Sequence, residues 1–177
     1  MKACVFFDRD GIVNRSPGPG YVHRWEDFEL MPEFVTALRI VRDAGYEAVV
    51  VTNQRCVATG VVPAGEVERI HRELKACLSR EYGLNLTDIL YCPHDNGQCD
   101  CRKPQPGMLI EAARRHRLDL SRSWMIGDSE RDVEAGRGAG CRTVLVGRVA
   151  GPGVADYRVD DMSELPSLLE RVLAGGD

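Results

Sequence analysis

Two carboxylates separated by one residue, Asp8 and Asp10, follow the apolar run Ala3 to Phe7 and precede Gly11. Such a run has the length and the β-favouring residues of a buried strand. In an open parallel sheet, ligands bind beyond the carboxyl ends of the strands, so this strand is expected to deliver two acids to a functional edge. The arrangement recurs down the chain. Ala48 to Val51 reads as a strand ending in Thr52, Asn53 and Gln54, and Trp124 to Ile126 as one ending in Gly127 and Asp128, with Asp132 a helical turn beyond. Lys103 adds a cation beside a pair of prolines. Carboxylates crowded at one edge repel unless a cation sits among them, and hard oxygen ligands without a histidine suit Mg²⁺. With a lysine added, the site can accept a dianion such as a phosphate monoester. Phosphoryl transfer is the chemistry that fits.

A second constellation, Cys92, His94, Cys99 and Cys101, brings four soft or borderline ligands into ten residues. Their mix suits a tetrahedral Zn²⁺ with no open position, hence a structural site. The spacings are shorter than the usual Cys-x-x-Cys, so the pattern alone is less specific than a standard zinc module. The cysteine count is odd, at seven, and in a reducing compartment a cluster of thiols holds a metal more often than it forms disulfides. Cys4, Cys77 and Cys141 read as small buried hydrophobes with no chemistry.

The elements that must position these groups follow from patterning. Phe34, Ala37, Leu38 and Val41 recur at helical spacing between Pro32 and Gly45; Val67, Ile70, Leu74, Cys77 and Leu78 form a second stripe, from Glu66 to near Gly83, with His71 on it as a packing or solvated residue. Further strands are expected at Ile89 to Tyr91, Thr143 to Val146 and Tyr157 to Val159. Helices are expected after Pro106 and around Leu165 to Val172. Strands alternating with helices imply an α/β fold: a doubly wound, Rossmann-like, mostly parallel sheet with helices on both faces. At 177 residues the chain fits one domain, with Gly175 to Asp177 as a frayed tail. No insertion between motifs is long enough for a large cap domain. Loops Ser16 to Glu29, Gln54 to Pro63 and Cys92 to Lys103 are left to select the substrate.

Composition bounds the function classes. The chain is 44% hydrophobic and 28% charged, and no apolar run approaches the ~18 residues a membrane helix needs. Asp8 breaks the first apolar run too early for a signal peptide, so a cytoplasmic protein is expected. A net charge of −4 disfavours nucleic acid as a partner. A monomer acting on a small phosphorylated metabolite is the expectation.

Four segments carry a resemblance to a known family. Phe-Phe-Asp-Arg-Asp-Gly, Val-Val-Val-Thr-Asn-Gln, Cys-Arg-Lys-Pro-Gln-Pro-Gly-Met-Leu and Met-Ile-Gly-Asp-Ser-Glu-Arg-Asp resemble the four motifs of the haloacid dehalogenase superfamily of phosphatases. Within it the chain is similar to the branch of D,D-heptose 1,7-bisphosphate and histidinol-phosphate phosphatases, over about Ala3 to Gly147. The resemblance implies that Asp8 attacks phosphorus to give an aspartyl-phosphate, and that Asp10 serves as general acid and then base. It implies Mg²⁺ held by the Asp8 carboxylate, the Asp10 backbone carbonyl and the Asp128 carboxylate, with zinc at the Cys/His loop. Thr52, with Asn53 and Gln54 beside it, and Lys103 are expected at the phosphoryl oxygens. Arg102 is expected to grip a second phosphate, as in a sugar bisphosphate; histidinol phosphate is the alternative substrate. Asp132 either supports the metal from behind its ligands or is an exposed helix residue.

The chain departs from the family pattern at Ile12, where many members carry threonine, and at Arg55 and Cys56, where the branch has small residues. Arg55 either contacts phosphate or is solvated. Rivals from other classes are a receiver-like phospho-acceptor domain, a catalytically dead binding module and a polynucleotide end-processing enzyme. The first has no use for Asp10 or the Cys/His loop, the second conflicts with the filled catalytic positions, and the third with the acidic charge balance.

Overall fold

The computed structural model describes residues 1–148 and 154–174. The frayed tail expected at Gly175 to Asp177 lies outside the described residues. Strands β1 (Cys4–Phe7), β2 (Glu47–Asn53), β3 (Asp88–Cys92), β4 (Trp124–Gly127), β5 (Arg142–Val146) and β6 (Tyr157–Val159) form one sheet in the order β3-β2-β1-β4-β5-β6. Every pairing between them is parallel. Helices α1 (Pro32–Asp43), α2 (Ala64–Tyr82), α3 (Gly107–His116) and α4 (Glu130–Gly138) supply the crossovers from β1 to β5, and α5 (Leu165–Leu173) follows β6. This is the doubly wound fold expected from the sequence. Strand order reverses at β1, and a reversal opens the crevice where ligands bind. No described helix is long and apolar enough to cross a membrane.

Successive side chains of a strand point to opposite faces, and here both faces are covered, so the central strands are apolar throughout. Val5 and Phe7 of β1, Ala48 and Val50 of β2, and Trp124 and Ile126 of β4 join the core built with α1, α2 and α5. Cys4, Phe6, Val49, Val51 and Met125 face α3 and α4 in a second core. α2 is closed by Gly83, whose left-handed backbone (φ 65°) returns its N–H to the last turn. Cys4 and Cys141 are buried as expected, whereas Cys77 is only half-buried, at the border of its helix stripe.

The loop from Arg15 to Glu29 is more ordered than its proline and glycine content suggests. Trp25–Asp27 forms a short 3₁₀ turn, the Trp25 and Phe28 rings stack at 5.1 Å, and Asn14 bridges to Leu30.

One contact between α4 and the sheet leaves no room for a side chain. A Cβ on Gly136 would lie 2.6 Å from the Met125 Cβ and 2.8 Å from the Thr143 Cγ2. Alanine is the better helix former by about 1 kcal/mol, yet Gly136→Ala is expected to destabilise the fold by about 1 to 3 kcal/mol because overpacking outweighs propensity. Urea unfolding measures the sign; a more stable variant contradicts the packing account.

Candidate active site

The site begins where β1 ends. Asp8 sits in register beside β4 through its N–H, which donates to the Ile126 carbonyl at 2.9 Å. Gly11 then turns the chain at φ 97°, and a Cβ there would fall 2.1 Å from Asp128 Oδ2. Glycine is required twice over, for the left-handed backbone and for the carboxylate pressed against it. Asp8, Asp128 and Asp132 each bring a carboxylate oxygen to within 4.8 Å of the others, an arrangement that can hold a hard cation.

Lys103 occupies the floor. Its ammonium is 2.6 Å from Asp8 Oδ1, 2.6 Å from Asp132 Oδ1, and donates to the Val51 carbonyl at 2.8 Å. With 2% of it exposed, all three donors of the head group are satisfied inside the protein. Burial alone would depress its pKa, but the attraction of Asp132 and Asp8 holds it above the ordinary value. The acids feel the opposite imbalance, since one ammonium faces several carboxylates. Burial, offset in part by Lys103 and reinforced by Asp132, pushes Asp8 up to about 7. Burial and then Asp132 push Asp128 up to about 6.

Asp132 is neither exposed nor free to support a metal loosely. It is 2% exposed, and its Oδ2 accepts from the Ser129 N–H at 3.1 Å and the Ser129 hydroxyl at 2.7 Å, closing a capping box at the start of α4. The Ser-x-x-Asp spacing was the sequence signal for it.

Asp10 is held by Arg9 and Asn14, which sequence reasoning left aside, and by Gln54, which it assigned to the phosphoryl group. Arg9 is fully buried and donates to both Asp10 oxygens, at 2.9 and 3.1 Å through Nη2 and at 3.1 Å through Nε. Asn14 Nδ2 and Gln54 Nε2 each add a bond at 3.0 Å. Behind Arg9, Nη1 lies 3.3 Å from Nε2 of His71. Burial and the neighbouring guanidinium pull His71 down to about 3, so its ring is neutral and Nε2 accepts. An arginine between two acids at a strand end was the available signal. His71 is therefore a packed residue with one specific bond.

A cavity of about 210 Å³ opens above these groups, with Asp8, Asp10, Thr52, Asn53, Lys103 and Asp128 in its walls. Ser16, Pro17, Gly18, Gly20 and Tyr21 close one side, as expected of that loop. Gln54 and Arg102, expected at the phosphoryl group and at a second phosphate, stand outside this wall. Gln54 is 1% exposed and spends its amide on Asp10 and, at 2.9 Å, on Thr52. Arg102 donates to Asn96 Oδ1 at 2.8 Å and to the His94 carbonyl at 3.3 Å. Asn53 lines the cavity but also clasps the Lys103 backbone, donating to its carbonyl at 3.0 Å and accepting from its N–H at 3.1 Å. The segment 55–63 contributes nothing to the wall; Arg55 pairs with Asp95 through two N–H groups, at 2.5 and 3.1 Å. Cys56 is buried beneath it.

The Cys/His loop folds as a compact donor set. Sγ and Nδ1 atoms of Cys92, His94, Cys99 and Cys101 lie 3.2 to 3.6 Å from one another along four edges. A zinc tetrahedron with bonds of about 2.0 to 2.3 Å has edges of roughly 3.3 to 3.8 Å. The cysteines are free thiols, too far apart for disulfides.

Comparisons with known proteins agree with this geometry. The HAD-hydrolase-like family model matches residues 100–158. The chain is 34% identical, over 97% of its length and 99% of the relative's, to D-glycero-beta-D-manno-heptose-1,7-bisphosphate 7-phosphatase of Haemophilus influenzae. It is 38% identical, over 91% of its length and 88% of the relative's, to the corresponding alpha-heptose 7-phosphatase of Mycobacterium bovis. The D,D-heptose 1,7-bisphosphate phosphatase of B. bronchiseptica, solved with magnesium and phosphate, superposes with a TM-score of 0.82 at 30% identity, covering 98% of this chain and 99% of that one.

Crowded acids make the metal-free site a source of instability. Because Asp128 titrates at about 6 in the fold against 3.8 for a free carboxylate, its ionisation disfavours folding; the cost is absent below about pH 4 and complete above pH 6. Asp128→Asn is therefore expected to raise the stability of chelator-treated protein by about 1 to 2 kcal/mol near pH 7.5 and to leave it unchanged near pH 4. Denaturant titrations at the two pH values test this, and a loss of stability near pH 7.5 contradicts it.

Proposed function

The chain belongs to the haloacid dehalogenase-like phosphatases, among the heptose 1,7-bisphosphate 7-phosphatases, and from that membership we propose that it hydrolyses the 7-phosphate of D-glycero-D-manno-heptose 1,7-bisphosphate through an aspartyl-phosphate. Asp8 attacks phosphorus, and the P–O bond to the sugar breaks. Asp10, as general acid, gives a proton to the leaving alkoxide. A water then attacks the aspartyl-phosphate, Asp10 takes its proton back, and inorganic phosphate leaves with Asp8 regenerated. Arg9, Asn14 and Gln54 hold the Asp10 carboxyl toward the cavity, so a donor of one orientation serves both halves of the reaction. Lys103 and Thr52 attract the phosphoryl oxygens.

Asp8, the Asp10 carbonyl and Asp128 would hold Mg²⁺, which when bound neutralises charge on the phosphoryl group and the acids together. The observation that carries the reading is the single cavity in which four elements bring together Asp8, Asp10, Thr52, Lys103 and Asp128. Cys92, His94, Cys99 and Cys101 would hold a structural Zn²⁺ that stiffens the loop behind Lys103. Seven free thiols suit a reducing cytoplasm.

Phosphate release from a panel containing heptose 1,7-bisphosphate, a heptose 7-phosphate and histidinol phosphate tests the substrate, the bisphosphate being expected to give the highest kcat/KM. Asp8→Asn should abolish turnover while leaving the fold intact by circular dichroism. Activity near wild type in that variant defeats the mechanism.

The metal assignment is checked separately. Protein purified without chelator should contain about one zinc per chain after dialysis that strips Mg²⁺, because thiolate-bound structural zinc contributes on the order of 10 kcal/mol. Cys99→Ser should lower both zinc content and activity. Zinc-free protein of full activity removes the proposal.

A further inference from the structure

A second cavity, of about 330 Å³, adjoins the first: Lys103 and Arg131 stand in the walls of both. The two differ in charge. The first carries four carboxylates, from Asp8, Asp10, Asp128 and Asp132, whereas the second carries Arg102, Lys103 and Arg131, with the amides of Asn96 and Gln105, and no carboxylate. In a chain of net charge −4, a concavity whose walls hold the guanidinium residues Arg102 and Arg131 and no acid fits an anion.

Arg131 is the feature of this cavity that folding does not explain. It is exposed, and it stands second in α4, where the partial positive charge of the helix N-terminus disfavours a cation. Its two acidic neighbours are engaged elsewhere, Glu130 with Arg158 at 3.4 Å and Asp132 with Lys103 at 2.6 Å. No hydrogen bond or ion pair of its own is found among the described residues. Arg102, across the cavity, is the contrasting case. Its Nε and Nη1 brace Asn96 and His94.

We propose that Arg131 is a specificity-determining residue, which with Arg102 seats the non-reacting phosphate of a sugar bisphosphate in this second cavity while the other phosphate reacts at Asp8. The proposal rests on the bisphosphatase reading and deepens it. A free guanidinium presents a planar fork that matches phosphate in two-pronged geometry. Lys103 lies between the two sites, with its ammonium turned to the first. The sugar then bridges the cavities, and a monophosphate leaves the second one without its counter-charge.

The test compares wild type, Arg131→Ala and Arg131→Lys, each loaded with Mg²⁺, on heptose 1,7-bisphosphate and on a heptose 7-phosphate. Arg131→Ala is expected to lose about ten- to a hundredfold in kcat/KM on the bisphosphate, chiefly through KM, and less than about threefold on the monophosphate. Arg131→Lys should recover part of the loss. The melting temperature of Arg131→Ala should match or exceed that of wild type, since a cation has left a helix N-terminus. Equal losses on both substrates, or no loss on the bisphosphate, overturn the role of Arg131 while the bisphosphatase reading stands. A wild type that does not favour the bisphosphate overturns both.

Discussion

A buried ammonium organises this protein. Taking a lysine head group out of water costs several kcal/mol unless oxygen atoms replace the lost hydration, and Lys103 finds three: on Asp8 at the end of β1, on Val51 in β2 and on Asp132 in α4. Each comes from a different element, so the ion pair fixes the relative positions of two strand ends and a helix N-terminus. The charge balance that results is incomplete. Among the described residues the cations paired with Asp8, Asp10 and Asp132 are Lys103 and Arg9, and with Asp128 beside them the acids outnumber those cations in the crevice. A divalent cation there would offset the excess, and a phosphate dianion would then meet a site that no longer repels it.

The loop that carries Lys103 is held from three sides. Cys101 belongs to the donor cluster two residues away, Asn53 clasps both backbone groups of Lys103, and Arg55 reaches across to Asp95 beside His94. Arg102 ties the loop to itself through Asn96. Irregular segments of this kind have no ladder of backbone bonds to define them, so side chains and a metal-type cluster supply the rigidity that a strand would have by itself. Asn53, with its side-chain amide, and Arg102, with Nε and Nη1, both contribute to that rigidity, while Gln54 gives its amide to Asp10 and Thr52.

The fold was legible in the sequence because its strands are covered on both faces and therefore read as apolar runs with polar residues at one end. Asp8, Asp10, Thr52 and Asp128 were legible for the same reason, each following such a run, and Lys103 by its place just before two prolines. What was hidden lies in pairings across the chain. Arg9 reads as a polar residue in a turn, and only the packed structure reveals a fully buried cation whose partners are Asp10 and His71. Asp132 carries a capping signature, but its bond to Lys103 depends on β4 bringing α4 over the end of β1. Gln54 and Arg102 had the right chemistry for phosphate, and periodicity says nothing about which neighbour a side chain turns toward.

The bond between Arg9 and His71 reaches into α2, a helix whose apolar stripe faces the core. Proteins open in cooperative segments, and a segment's protection from hydrogen exchange reflects everything that must break when it moves. Here the detachment of α2 from the sheet removes a neutral acceptor from a buried guanidinium and leaves that charge with one partner fewer. The acid at the mouth of the cavity and a helix some sixty residues further along the chain thus belong to one unit of local stability. Amide exchange in α2 and the ordering of Asp10 are two readouts of the same opening equilibrium.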